Sequence, residues 1–255
     1  MTSISKTFPN WPAPERIHAF VTERAGGVSE GKFAGLNLAH HVDDDLSAVE
    51  ANRELLQSSV PVNLTFQWLN QIHSNIASIV TVPASPIKGD SLICREAGIV
   101  CCVLTADCLP IFMTNKAGTE IAAIHAGWRG ICRGILSNTV NEMASQPRDL
   151  MAWLGPAIGP CHYEVGGELK DTFENSIDSK ELWAEVEKCF GFSSKGNKYF
   201  LDLYKAATLL LKNLGIVDIY RGNHCTFCNE EKYYSYRRDQ ETGRMVSAIF
   251  IKPGY

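Results

Sequence analysis

The segment Ile99-Val100-Cys101-Cys102-Val103-Leu104-Thr105-Ala106-Asp107-Cys108-Leu109-Pro110 carries two kinds of information. Its first half is β-branched, cysteine-rich and uncharged, the composition of a strand buried on both faces. Its second half brings an acid, a thiol and a proline to the end of that run, where a rigid scaffold can expose chemistry. Residues 121–124 repeat the buried-strand pattern. Residues 66–69, 76–82, 151–154, 216–220 and 246–251 read as further strands, and Ile17, Ala19 and Val21 alternate with polar neighbours as a half-buried one. Helical spacing lies between them. Asp45 precedes a helix through residue 60, with an acidic first turn and with Val49, Leu55 and Leu56 on one side. Ile131, Ile135, Leu136, Val140 and Met143 mark a second helix after Gly130. Residues 178–190 and 203–214 read as two more, the last closed by Gly215 at a C′ position. Strands and helices mingle without strict βαβ alternation, which predicts an α+β fold. No repeat, low-complexity tract or Gly/Ser/Pro-rich linker divides the 255 residues, so a single domain over residues 1–255 is expected.

Composition narrows the function classes. Hydrophobic residues make up 45% and charged residues 20%, ordinary proportions for a folded globular chain. A formal net charge of -4 gives no footprint for nucleic acid or a membrane surface, and neither is expected as a partner. No apolar run approaches the roughly 18 residues of a membrane helix. The opening stretch carries Pro9, Asn10, Pro12 and Pro14 and lacks an apolar core after a basic start, so it does not read as a secretory signal. Nine cysteines without an export signal predict free thiols in a reducing cytoplasm, each by default a small buried hydrophobe. The oligomeric state is not legible; a monomer is compatible with the chain.

Three segments share one design: a β-like run ends and a chemically capable residue follows. Asn70-Gln71-Ile72-His73-Ser74 follows Trp68-Leu69, Thr105-Ala106-Asp107-Cys108 follows Leu104, and His125-Ala126-Gly127-Trp128-Arg129-Gly130 follows residues 121–124. Two imidazoles and a thiol delivered this way suit Zn²⁺, whose three-ligand sites keep a fourth position open for catalysis. The same residues suit a second chemistry, with Cys108 as nucleophile and His125 as base, because both need a thiolate. Spacing alone does not separate the two, and it matches no compact zinc-finger pattern. Other features take bland readings first. His224-Cys225-Thr226-Phe227-Cys228 contains one CxxC without a second, so it reads as structural or incidental. Tyr233, Tyr234 and Tyr236 read as core or rim packing, Trp128 as a packing residue, and His40-His41 as a loop pair. His162 is a minor candidate for the pocket.

The three segments, with Ala123-Ile124 before His125, resemble the hallmark segments of the bacterial laccase-domain family. It is also called the multicopper polyphenol oxidoreductase family, and its members are now described as purine nucleoside phosphorylases. More segments are similar: residues 22–29, with Glu23 where threonine is commoner, Gly35-Leu36-Asn37-Leu38, Asn52-Arg53, residues 153–160, Tyr163-Glu164-Val165-Gly166, residues 234–239 and Thr242-Gly243-Arg244. Together they span about residues 16–251. The resemblance implies a mixed β-sheet sandwich flanked by helices, with a metal centre on His73, Cys108 and His125 in a surface pocket. It implies phosphorolysis of adenosine, inosine and 5′-methylthioadenosine to the base and the (methylthio)ribose 1-phosphate, and deamination of adenosine to inosine.

Those activities set requirements for the residues. Zinc with an open position suits deamination. The His-x-Glu with Pro-Cys-x-x-Cys pattern of zinc deaminases is absent, so a proton shuttle must come from elsewhere, with Asp107 and Asp90 as candidates. Asp107 serves equally as the acceptor that holds a ligand histidine. Phosphate calls for guanidinium donors or backbone N–H nests: Arg24 beside Gly26-Gly27, Arg129 between Gly127 and Gly130, or Arg237-Arg238. The expected catalytic set is therefore Cys108, His125, His73 and Asp107, and the expected substrate-binding set Arg24, Arg129, Asp90 and Arg237. A copper-dependent polyphenol oxidase is the older reading of the family name, and His₂Cys also suits copper. The seven histidines, however, include no His-x-His pair of the kind that builds a multicopper cluster. A Cys-His hydrolase or amidase acting on peptides is the remaining alternative.

Overall fold

A computed structural model describes residues 4–222 and 224–254. Two β-sheets face each other. The first has five strands in the order β1 (Lys6–Thr7), β2 (Ile17–Thr22), β16 (Met245–Ile251), β8 (Ile99–Thr105) and β3 (Thr65–Gln67). The second has six, in the order β15 (Asp218–Arg221), β11 (Leu150–Leu154), β9 (Leu109–Asn115), β10 (Ile121–Ala126), β7 (Ser91–Cys94) and β5 (Ala77–Val80). Both sheets mix parallel and antiparallel pairs: β3 runs parallel to β8, while β16 is antiparallel to β2 and β8. Two smaller sheets complete the set, β12 (Glu164–Gly166), β14 (Lys198–Leu201) and β13 (Phe190–Phe192) in one, and β4 (Leu69–Asn70) with β6 (Ile87–Lys88) in the other. The fold is α+β, a mixed-sheet sandwich with helices on its outer faces.

Burial explains why the central strands read as continuous apolar runs. Cys101 and Val103 of β8 point between the sheets with Val21 and Ile249, against Leu92, Phe112, Ala123 and Trp153 of the second sheet. Their neighbours Val100, Cys102 and Leu104 point the other way, onto Leu36, Leu38 and Leu56. Leu56 belongs to α1 (Leu46–Ser58), which therefore covers the outer face of the first sheet. The outer face of the second sheet, with Leu109, Ile111, Ala122 and Ile124, packs on α3 (Ile135–Glu142), α4 (Gly167–Asn175) and α6 (Leu203–Asn213). A strand with both faces covered loses the apolar/polar alternation of a half-exposed one.

Several elements differ from expectation, each for a local reason. Strand β9 begins at Leu109 and includes Pro110, a residue that reads as a breaker. Proline is tolerated here as the second residue of the strand, and its carbonyl still accepts from Gly155 N–H at 2.9 Å. The helix expected after Gly130 is two helices, α2 (Trp128–Cys132) and α3, because Gly134 between them adopts φ +89°. The helix expected over 178–190 shortens to α5 (Lys180–Val186), and Phe190 enters β13. Helix α1 is capped by Asp45, whose carboxylate accepts from Ser47 and Ala48 N–H, but its first turn holds no acid. Asn52 rather than Leu55 is its third buried residue, donating to the carbonyls of Gly35 and Asn37. A last short helix, α7 (Tyr236–Asp239), precedes β16.

Candidate metal centre and its pocket

His73, Cys108 and His125 come from three separate elements and converge, their ligand atoms all within 4.8 Å of one another. His73 lies in the loop after β4, Cys108 in the turn joining β8 to β9, and His125 inside β10, opposite Pro110 of β9. Cys108 Sγ stands 3.9 Å from His73 Nε2. The two imidazoles meet edge to face, ring centroids 4.8 Å apart.

The supports are built into the neighbouring residues. Asp90 is fully buried, and its carboxylate accepts from His125 Nδ1 (2.8 Å), His73 N–H (3.0 Å), Ser74 N–H (2.6 Å) and Ser74 Oγ (2.7 Å). Fixing Nδ1 this way directs Nε2 of His125 toward Cys108, the carboxylate–histidine arrangement of metal ligands. The Gln71 side chain pairs with the backbone of Leu104, donating from Nε2 to its carbonyl (2.9 Å) and accepting from its N–H (2.7 Å). Arg133 donates to the carbonyl of His73 at 2.7 Å. His73 and Asp107 are both held at positive φ, +55° and +86°, conformations that persist only when surroundings over-determine them.

Electrostatics favour a thiolate. Burial pushes the Cys108 thiol up, but the charge and hydrogen bonds of His125 and His73 outweigh this and bring it to about 6. Burial likewise disfavours the His125 imidazolium, while Cys108 and Asp90 raise it to about 9. For Asp90, burial is outweighed by the hydrogen bonds from His125 and Ser74, and its pKa falls to about 2. The donor set fits a metal ion: two imidazole nitrogens, from which a bound ion would displace any proton, and one thiolate suit Zn²⁺ or copper. The space fits as well. A Cβ added at Gly127 would stand 2.9 Å from Cys108 Sγ and 3.2 Å from His73 Cδ2, so only glycine leaves room beside the cluster.

The cluster lies on the wall of a cavity of about 550 Å³, within the range of small-molecule sites. Arg129 and Arg237, which the sequence singled out for substrate binding, line it. So does Asp107, but it holds no histidine: its carboxylate accepts from Thr226 Oγ1 and from Arg237 N–H, both at 2.6 Å. Asp90, expected to bind substrate, sits behind His125 instead, with both oxygens engaged. Arg24 is not brought to the cavity; its guanidinium lies over the Tyr234 ring and donates to the Glu230 carbonyl. Tyr233 and Tyr234 are core residues, while Tyr236 and Trp128 reach the cavity wall. His162 stays outside it.

His41, read from sequence as half of a loop pair, lines the cavity too, as do Thr105, Tyr163, Leu203 and Arg244, none of which had been given a site role. Arg244 lies in the Thr242-Gly243-Arg244 segment already set apart by resemblance, the one signal that could have found it. The Thr105 hydroxyl is buried and without a partner among the described residues.

Comparison with known proteins agrees with this architecture. Residues 18–252 match the family of the multi-copper polyphenol oxidoreductase laccases. A Haemophilus influenzae relative named purine nucleoside phosphorylase is 42% identical over 244 residues, covering 96% of this chain and 98% of the relative. The Escherichia coli purine nucleoside phosphorylase YfiH is 41% identical, covering 95% and 97%. The crystal structure of a Neisseria meningitidis protein superposes with a TM-score of 0.89 at 39% identity, covering 97% of this chain and 99% of that one. YlmD from Geobacillus stearothermophilus gives 0.83 at 30% identity, covering 94% of each chain. With match, site and fold in agreement, the chain belongs to the multi-copper polyphenol oxidoreductase laccase family.

Proposed function

We propose that this chain is a zinc-dependent purine nucleoside phosphorylase, acting on adenosine, inosine and 5′-methylthioadenosine, that also deaminates adenosine. The observation that carries the reading is the union, in one cavity, of the His73/Cys108/His125 cluster with three guanidinium side chains, Arg129, Arg237 and Arg244. The names of the Haemophilus and Escherichia relatives support it. The nine free cysteines support a reducing, cytoplasmic setting. No described helix is long and apolar enough to cross a membrane.

His73, Cys108 and His125 would hold the ion. When bound there, zinc supplies Lewis acidity at an open coordination position. In phosphorolysis a phosphate oxygen bonds to C1′ as the C1′–N9 bond breaks, and the purine leaves with a proton. Arg129 and Arg244 are the residues that bind and orient phosphate, through charge-assisted donors matched to its oxygens. Arg237 and Arg244 are each partly committed, donating to the Glu164 carbonyl and the Thr242 carbonyl, both at 2.7 Å, and offer their remaining N–H groups. Asp107 is a positioning residue that holds the backbone of Arg237. Tyr236 and Trp128 offer rings against which a purine stacks.

The close thiol–imidazole pair also favours one second reading, a Cys-His hydrolase. One experiment separates the two. Zinc-loaded protein is incubated with adenosine, with and without phosphate, beside Cys108→Ala and chelated samples. Phosphate-dependent adenine and ribose 1-phosphate, lost in both controls, is the expected result; inosine formed without phosphate identifies the deaminase activity. Activity that survives chelation but not Cys108→Ala assigns a nucleophile instead. No nucleoside product from folded, metal-replete protein overturns the reading.

A further inference from the structure

A second group of metal-ligating side chains lies outside the described site. Cys161 and His162 lie in the loop between β11 and β12, and Cys225 and Cys228 in the loop after β15; their ligand atoms are all within 4.8 Å of one another. Sequence showed only the CxxC half. The tertiary structure supplies the other half, from a segment more than sixty residues away.

Three edges of the group come close to those of a tetrahedral metal centre, and Cys225 Sγ lies within 4.8 Å of the other three ligand atoms. Cys161 Sγ and Cys228 Sγ are 3.6 Å apart, and His162 Nδ1 is 3.1 Å from Cys161 Sγ and 3.3 Å from Cys228 Sγ. Metal bonds of about 2.3 Å to sulfur and about 2.0 Å to nitrogen place tetrahedral ligands about 3.8 Å apart for S–S and about 3.5 Å for S–N. The observed edges need only a few tenths of an ångström of expansion. The His162 ring is fixed by stacking on Phe227, centroids 4.0 Å apart and planes 13° from parallel. Gly159 N–H points at Cys225 Sγ at 3.1 Å, the outer hydrogen bond expected of a ligating sulfur. A Cβ at Gly159 would stand 3.3 Å from Cys225 Sγ and 3.5 Å from Cys161 Sγ, so the glycine keeps the loop tight against the group.

We propose that Cys161, His162, Cys225 and Cys228 form a structural Cys₃His zinc site that staples these two loops together. Four protein ligands leave no open corner, so the site is structural and not catalytic. Binding releases the thiol protons and involves no oxidation. The stapled loops support the catalytic pocket from outside. Thr226, within the CxxC, donates to Asp107, and the carbonyls of Thr226 and Phe227 accept from Arg238 at 2.9 and 3.0 Å. The site stands independently of the nucleoside reading.

The test counts metal in purified full-length protein, prepared under reductant with zinc and passed over a mild chelator. Wild type is expected to carry two zinc equivalents, and a His73→Ala/Cys108→Ala variant one. Adding Cys161→Ser and Cys228→Ser to that variant is expected to remove the remaining equivalent. Cobalt in the His73→Ala/Cys108→Ala protein is expected to give intense visible bands with thiolate-to-metal charge transfer. Because that variant keeps all four proposed ligands, its result does not depend on the cysteine variants folding. A metal-free His73→Ala/Cys108→Ala protein overturns the proposal. So does a Cys161–Cys228 disulfide, located by peptide mapping of the unreduced protein, or an equivalent that survives Cys161→Ser/Cys228→Ser.

Discussion

Asp90→Asn tests whether the buried carboxylate organises the metal centre. The side chain keeps its size, but loses its charge and replaces one acceptor oxygen with a donor. Two of its bonds go directly to the ligand residues, His125 Nδ1 at 2.8 Å and His73 N–H at 3.0 Å. A hydrogen bond to a charged group contributes about 1.5–3 kcal/mol and a neutral one about 0.5–1.5, so each loses about 1–1.5 kcal/mol. Two such losses, about 2–3 kcal/mol, correspond to roughly 30- to 150-fold weaker metal binding. That agrees with the general cost of about 10- to 100-fold for removing a partner of a ligating histidine. The assay is a competitive chelator titration of zinc, with circular dichroism to verify the fold. Activity should return when zinc is raised above the weakened dissociation constant, and the KM for phosphate should hold, because Asp90 does not face the cavity. Zinc affinity within threefold of wild type in a folded protein would refute the argument. So would an activity loss that saturating zinc does not restore.

Gly127→Ala brings a Cβ to 2.9 Å from Cys108 Sγ, well inside the about 3.5–4.0 Å of ordinary contact, while its φ of -67° suits alanine. It should lower zinc affinity by about tenfold or more without unfolding the protein, as read by metal analysis and circular dichroism. Arg129→Ala and Arg244→Ala should each raise the phosphate KM about tenfold or more through loss of a charge-assisted contact, and leave zinc stoichiometry unchanged. An unchanged KM in both would move the phosphate site elsewhere. Glu120 is 2% exposed and accepts from Ala144 N–H, Ser145 N–H and Arg95 Nε. Glu120→Ala should therefore cost about 1–3 kcal/mol in denaturant unfolding, with zinc affinity unaffected.

The fold was legible where local pattern and burial agree. Residues 99–104 and 121–124 are apolar throughout, and 246–251 all but Ser247, because both their faces are covered, and that excess of hydrophobicity survives in the linear chain. It failed where context overrides a residue's usual habit. Strand β9, with Pro110 as its second residue, was not among the strands read from the sequence, and Gly134 broke a helix whose apolar spacing continues across it. The short sheet of β12, β13 and β14 has strands of three or four residues, too brief to show a period.

The candidate site divides in the same way. His73, Cys108 and His125 could be named from sequence because each lies in the last residues of a strand or just beyond it, in a distinctive segment, and those three segments also carry the family resemblance. The arginines could not be sorted: a guanidinium has no local signature, and Arg24 with its glycine neighbours looked as suitable as Arg129. The exchange of roles between Asp90 and Asp107 was equally hidden. Both are acids beside strand residues, but Asp90 receives the His73 loop and His125 while Asp107 receives Thr226 and Arg237. The linear chain thus determines which segments are buried and which residue types can ligate. Which side chains meet depends on contacts between residues tens to hundreds of positions apart, such as Asp107 with Arg237 or Cys161 with Cys228. Only packing of the two sheets and their loops sets those distances, because hydrogen bonding and ligation act over a few ångströms in space, whatever the separation along the chain.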